Sequence, residues 1–187
     1  MIKPLLIIII GPVSAGKSTI GQKISEELSL PFVSKDTLKE IIFDAGGWED
    51  KAYSKKVGNM AYSILFNFVE NFLKISSSVI VEANFTTEHS AKKINYIIKK
   101  YNINSIQLNC MAEKGVLVKR FKQRNKLKLT HPGRYEDSIF EEIKDSLERG
   151  KVESLKIESE VLCIDTTNLE KVNYQKILKT LKSRMKY

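Results

Sequence analysis

Cysteine is scarce in this 187-residue chain, with two residues, Cys110 and Cys163, and no C-x-x-C pair or histidine-rich neighbour. That excludes a disulfide scaffold and a thiolate metal centre, and leaves two reduced thiols expected in the core of a cytoplasmic protein. Long apolar runs are also missing. The most apolar stretch near the start, Leu5 to Ile10, has six residues. It is too short for a signal-peptide core and far from the roughly 20 apolar residues of a membrane span, so no membrane association is expected. No Pro/Gly/Ser-rich linker, internal repeat or low-complexity tract divides the sequence, which reads as one domain over residues 1–187.

Arginine is rare as well. Of 31 basic residues only five are arginine: Arg120, Arg124, Arg134, Arg149 and Arg184. The formal charge of +9 therefore comes mostly from lysine. Such a surface suits a solvated exterior, nucleic acid, an anionic membrane or an anionic small molecule. Three of the five arginines fall between positions 120 and 134. Arginine grips phosphate and carboxylate oxygens in pairs, so this concentration says more than the net charge does.

What is present is an alternation of strand and helix patterns. Leu5–Ile10 is a continuous aliphatic run, β-branched from Ile7 to Ile10, as a strand buried on both faces requires. Further strands are expected at Pro31–Val33, Val79–Ala83, Ile103–Asn109 and Val161–Ile164. Helices are expected at Lys17–Leu28, Asp36–Phe43, Ala52–Ile75, Glu88–Lys100, Lys114–Lys126, Tyr135–Leu147 and Val172–Met185. This order predicts an α/β fold with a parallel sheet between layers of helices. In such sheets ligands bind beyond the carboxyl ends of the strands. The polar residues there are Gly11–Ser18, Lys35-Asp36, Glu82–Asn84, Asn109 and Asp165–Asn168.

Gly11-Pro12-Val13-Ser14-Ala15-Gly16-Lys17-Ser18 matches G-x-x-x-x-G-K-[ST] at every fixed position, directly after a buried strand and before a helix. The glycines allow a backbone curl whose N–H groups face inward as an anion nest. The helix that follows turns its positive end to the same phosphates. Gly11, Ser14, Ala15, Gly16, Lys17, Ser18 and Thr19 are the candidate nucleotide-binding residues. Lys17 is placed to reach the β- and γ-phosphates, Ser18 to offer a hydroxyl to Mg²⁺, and Thr19 to lie near the α-phosphate.

With Ser34-Lys35-Asp36-Thr37-Leu38, VIVEANF at Val79–Phe85, Arg120-x-x-x-Arg124, His131-Pro132-Gly133 and Asp165-Thr166-Thr167, the chain resembles the small P-loop kinases of the zeta-toxin and chloramphenicol-phosphotransferase type, relatives of gluconate and shikimate kinases. The resemblance covers essentially the whole chain. It implies a three-layer αβα fold, a five-stranded parallel sheet in the order 2-3-1-4-5, and a mobile lid at about residues 124–135. It implies a Mg²⁺-dependent kinase that moves the γ-phosphate of ATP to a hydroxyl of a small-molecule acceptor, working as a monomer or homodimer.

Residue by residue, the resemblance makes Asp36 the carboxylate beside the attacking hydroxyl, although an aspartate there could simply cap the next helix. Glu82 takes the place of an acidic metal-holding residue, where the family often has aspartate; a polar strand end is the alternative. Arg120 and Arg124 lie one helical turn apart and become clamps on the transferring phosphate, with Arg124 also on the nucleotide. A solvated basic face with Lys119, Lys122, Lys126 and Lys128 is the alternative. Arg134 is a further candidate, and His131 reads as a structural lid residue. Asp165–Asn168, with Thr167, is placed at the adenine; an ordinary turn with an Asx cap is the alternative. Trp48, Tyr53, Tyr62, Phe66, Phe68 and Phe72 either wall the acceptor pocket or, at helical spacing, belong to the core.

A polynucleotide-end kinase or nucleic-acid-linked ATPase is the competing class. The charge favours it, but the sequence holds no aromatic-basic interleaving of the kind that stacks bases. A non-catalytic nucleotide-binding regulator would be expected to lack Lys17 or Asp36, and both are present.

Overall fold

A computed structural model describes residues 3–85 and 88–185. The aliphatic run becomes β1 (Leu5–Ile10), fully buried and central in the sheet. Around it lie β2 (Phe32–Ser34), β3 (Val79–Glu82), β4 (Asn104–Met111) and β5 (Glu160–Asp165), in the order β2-β3-β1-β4-β5 with every pairing parallel. The expected strand order is correct.

Because strand side chains alternate between faces, β1 feeds two cores. Leu5, Ile7 and Ile9 join Ile20 and Ile24 of α1 (Lys17–Leu28), Leu117 and Phe121 of α5 (Lys114–Lys126), Leu147 of α6 (Phe140–Arg149), and Ile177 and Leu181 of α7 (Tyr174–Met185). On the other face Leu6, Ile8 and Ile10 pack with Leu65, Val69 and Leu73 of α3 (Lys51–Lys74) and Ile94, Ile97 and Ile98 of α4 (Glu88–Tyr101). α2 (Lys35–Gly46) follows β2 without a loop and packs beside α3. The three layers are those expected.

Several sequence readings change in the structure. Cys163 is exposed, not core. β5 is an edge strand whose Leu162 and Ile164 face the core while Val161 and Cys163 turn outward, so its apolar run is buried on one face only. Asn109 lies inside β4, which runs on to Met111, and its amide donates to Val152 O at 3.0 Å. The expected helix from Tyr135 breaks at its start: Tyr135 is left-handed at φ 53°, a short 3₁₀ turn spans Glu136–Ile139, and α6 begins at Phe140. Asp36 is not a cap. Ser34 occupies the N-cap position of α2 and Asp36 lies in the first turn.

Candidate active site

The carboxyl ends of β1, β2 and β3 open onto a cavity of about 490 Å³. Its rim is built first by the Gly11–Ser18 loop. Gly11 has φ 151°, and a Cβ there would lie 2.5 Å from Cys110 O, so only glycine lets the loop leave β1 against β4. Gly16, at φ 74°, sits under Leu169, whose Cδ2 a Cβ would meet at 2.8 Å. Lys17 is buried, with Nζ donating to Pro12 O at 2.9 Å and lying 3.7 Å from Glu82 Oε1. It is thus folded over its own loop rather than extended into solvent.

Glu82, buried at the end of β3, joins three elements. Its Oε2 accepts from Ser34 Oγ at 2.6 Å and from Ser18 Oγ at 3.2 Å. Ser18 and Glu82, the two expected metal-holding residues, are therefore adjacent. Hard oxygen donors of this kind suit Mg²⁺. No group of three or more His, Cys, Asp or Glu side chains able to hold a metal occurs among the described residues, so such an ion would take its other ligands from phosphate oxygens and water. A polyphosphate also fits three buried polar atoms that lack a protein partner among the described residues: Ser14 Oγ, Arg120 Nη1 and Arg124 Nε. Ser14, Arg120 and Arg124 all line the cavity.

Arg120 and Arg124 do converge on the cavity, but on different neighbours. Arg120 Nη2 donates to Thr166 O at 2.9 Å and Thr167 O at 3.2 Å, tying α5 to the loop after β5. Arg124 Nη2 donates to Glu136 Oε2. Thr167 is not in the cavity lining; its Oγ1 accepts from Glu113 N at 3.1 Å, and Leu169 is the residue of that loop which reaches the cavity.

Asp36 faces the same space from α2. Its Oδ2 accepts from Arg134 Nη2 at 2.7 Å, and Oδ1 lies 3.6 Å from Lys35 Nζ. Burial would raise the Asp36 carboxyl, but the charges of Arg134, Lys35, Lys17 and Lys39 outweigh it and hold the pKa below the usual 3.8. Arg134 also donates to Glu40 Oε1 at 3.0 Å and lies 2.6 Å from Glu136 Oε1. Glu136 is buried between Arg124 and Arg134. Sequence reasoning missed Glu136 and Glu40. The signal for Glu136 was an acidic residue two positions past Arg134 in an otherwise basic segment.

His131 serves the geometry of the 131–134 turn. Nδ1 accepts from Gly133 N at 3.0 Å, and the ring stacks on Phe43 at 5.2 Å and meets Trp48 edge-on at 4.6 Å. None of Trp48, Tyr53, Tyr62, Phe66, Phe68 or Phe72 lines the cavity. Tyr62, Phe66, Phe68 and Phe72 pack against the α3–α4 core instead.

Residues 6–149 match the family described as AAA domain, and the chain belongs to that family. Its fold and its relatives are those of the small P-loop kinase group. A protein of Chloroflexus aurantiacus J-10-fl, assigned as a kinase only provisionally, is 30% identical with a TM-score of 0.91, the match covering 98% of this chain and 100% of that one. Two more distant structures share the fold. Kti12 of Chaetomium thermophilum, solved with ADP-AlF3, has 16% identity and a TM-score of 0.66 over 97% of this chain and 100% of that one. A gluconokinase of Sinorhizobium meliloti 1021 has 15% identity and a TM-score of 0.55 over 98% and 99%. A search of curated proteins returns no match. Among the described residues no helix is long and apolar enough to cross a membrane.

Proposed function

We propose that the protein is a Mg²⁺-dependent phosphotransferase that moves the γ-phosphate of ATP to a hydroxyl of a small molecule. The observation that carries this reading is one cavity shared by a complete phosphate loop, an ionised carboxylate and three arginines. A carboxylate facing the phosphate site favours transfer over mere nucleotide storage, since its Oδ1 lies beyond hydrogen-bond reach of Lys35 and is open to an acceptor hydroxyl.

The loop amides and the Lys17 ammonium hold the β- and γ-phosphate oxygens. Lys17 must exchange its bond to Pro12 O for them. Mg²⁺, when bound, neutralises charge on the phosphates, and Ser18 with Glu82 would hold it. Arg120 Nη1 and Arg124 Nε, which have no protein partner to give up, donate to the transferring phosphoryl oxygens. Asp36 accepts the acceptor hydroxyl through Oδ1, while Arg134 fixes Oδ2. A carboxylate held below its usual pKa by neighbouring cations is a weaker base than a free one, so it mainly orients the hydroxyl and takes the proton late, as the new P–O bond forms.

The test is a coupled assay of ADP release across a library of small hydroxylated metabolites, with an oligonucleotide 5′-end as the rival acceptor. Transfer to a small molecule that stops in excess chelator and in Lys17→Ala is expected. Transfer to the oligonucleotide alone, or near-normal activity of Lys17→Ala, would overturn the proposal.

A further inference from the structure

Lys35 and Lys39 lie one turn apart on α2, and both line the cavity. Like charges at that spacing repel. The carboxylates near them are mostly engaged elsewhere: Arg134 holds Asp36 Oδ2 and Glu40, Glu136 is shared by Arg124 and Arg134, and Asp36 Oδ1 gives Lys35 one ion pair and Lys39 none. On this side of the cavity four cations (Lys35, Lys39, Arg124, Arg134) face three anions (Asp36, Glu40, Glu136).

Lys35 has Asp36 Oδ1 at 3.6 Å, a distance beyond a good hydrogen bond. Lys39 forms no ion pair with a carboxylate among the described residues; its Nζ donates to the neutral Ser54 Oγ at 2.7 Å and lies 5.4 Å above the Phe43 ring. The start of α2 adds to the imbalance. The Ser34 hydroxyl is spent on Glu82 and does not cap the first turn, leaving helix N–H groups toward the same side.

We propose that Lys35 and Lys39 form an anion subsite, and that the phosphoryl acceptor carries a carboxylate or phosphate group bound there, next to the hydroxyl that Asp36 receives. The proposal rests on the kinase reading for the acceptor, but the subsite itself does not. An anion between the two ammoniums removes their repulsion and supplies the missing charge. It also fixes the acceptor by a group other than the one that reacts, which is how binding energy at a distance orients a hydroxyl. The environment of Lys39 agrees: burial first, and then the Lys35 charge, lower its pKa from 10.5 to about 8, against the opposing pull of Asp36 and Glu136 and with the added push of Arg134.

The experiment labels lysine side chains and follows Lys39 by NMR through a pH titration. A non-hydrolysable ATP analogue with Mg²⁺ fills the phosphate loop, and inorganic phosphate or malonate is the probe. With either probe the Lys39 midpoint should rise from about 8 toward 10.5. The stronger of the two probes names the group on the acceptor. Lys39→Met and Lys35→Met should each weaken probe binding about 10- to 100-fold, the loss of one hydrogen bond to a charged group, while Lys39→Arg retains it. A midpoint that stays put at saturating phosphate and malonate overturns the subsite, and the wild-type titration alone decides this if a variant fails to fold. Equal weakening of the analogue in Lys39→Met also overturns it, by assigning the lysines to the nucleotide. Failure of the kinase reading looks different: no acceptor is phosphorylated, yet Lys39 still answers the probe.

Discussion

Thr166 offers a test of how the phosphate loop is held that needs no acceptor. It is fully buried just after β5. Its N–H donates to Met111 O at 2.7 Å, and its Oγ1 lies 2.8 Å from Ala15 O and 2.9 Å from Met111 O. The hydroxyl has one proton to give. Met111 O already receives the backbone N–H, so the proton goes to Ala15 O, inside the phosphate loop and two residues from Lys17. Thr166→Val keeps the shape and removes that bond. It leaves a buried carbonyl without its donor, a cost of about 1–3 kcal/mol. In a chain of this size each kcal/mol lowers Tm by about 2–4 °C, so the melting point should fall by roughly 2–12 °C. Nucleotide affinity should fall too, by up to about tenfold, because the half of the loop that carries Lys17 loses its tie to the sheet. Thr166→Ser keeps the proton and loses a methyl, and should cost only about 1 kcal/mol. Circular-dichroism melts and calorimetric titration with an ATP analogue measure both quantities. A Val variant as stable as wild type, with unchanged affinity, would refute the argument. A Val variant that binds nucleotide poorly but melts normally would mean that the 165–168 turn meets the ligand and does not brace the loop.

Asp36→Asn should lower phosphoryl transfer by about 10²–10⁴-fold with the true acceptor while ATP affinity stays close to normal, as the loss of a positioned carboxylate predicts. It should also lower Tm, because Arg134 loses the charge at 2.7 Å that helps hold it; an unchanged transfer rate removes Asp36 from catalysis. Lys39→Met should raise thermal stability at pH 7, where the crowded ammonium is charged. That advantage should shrink between about pH 8 and pH 10.5: wild-type Lys39 there loses its proton in the folded state before the unfolded one, so wild-type stability climbs with pH. A pH-independent difference in Tm between the two proteins would contradict this. Residues 124–135 should exchange amide hydrogens faster in the free protein than with an ATP analogue bound, since Leu127 and Leu129 are exposed there and the segment's hold on α2 is confined to its far end, through His131 on Phe43 and Arg134 on Asp36 and Glu40. Equal exchange rates in the two states would argue against a closing lid.

The parts of this site that were legible in the sequence are those built from neighbours in the chain. The phosphate loop needs a buried strand, two glycines and a lysine within 14 positions, and all stand in order from Leu5 to Ser18. The helices of the two cores were legible because their apolar residues recur at helical spacing. Strand order was legible only through family resemblance, since no pattern within β1 says that β3 and β4 flank it. β5 misled for a physical reason: a run of Val, Leu, Cys and Ile reads as buried on both faces, but at a sheet edge one face has nothing to cover it.

What could not be read are the contacts that close the site, because they join residues far apart in the chain. Asp36 and Arg134 are 98 positions apart, and Thr166 and Ala15 are 151 apart. These long-range contacts also change what the local motifs mean. Asp36 had two readings while its cap role was open. The fold gives the cap position to Ser34 and then turns the Ser34 hydroxyl away from α2 onto Glu82. One carboxylate thereby holds Ser18 at the start of α1 and Ser34 at the end of β2. Anything that draws on Glu82, a metal ion included, pulls on the phosphate loop through Ser18 and on the first turn of α2 through Ser34. That turn carries Lys35 and Asp36, with Lys39 one turn further on. On the proposed reading, this buried side chain joins the nucleotide side of the cavity to the acceptor side. Glu82→Ala, which removes the Oε2 that accepts from both hydroxyls, should loosen both sides at once, read as faster amide exchange around Ser18 and around Lys35 and Asp36; unchanged exchange on either side would refute the link.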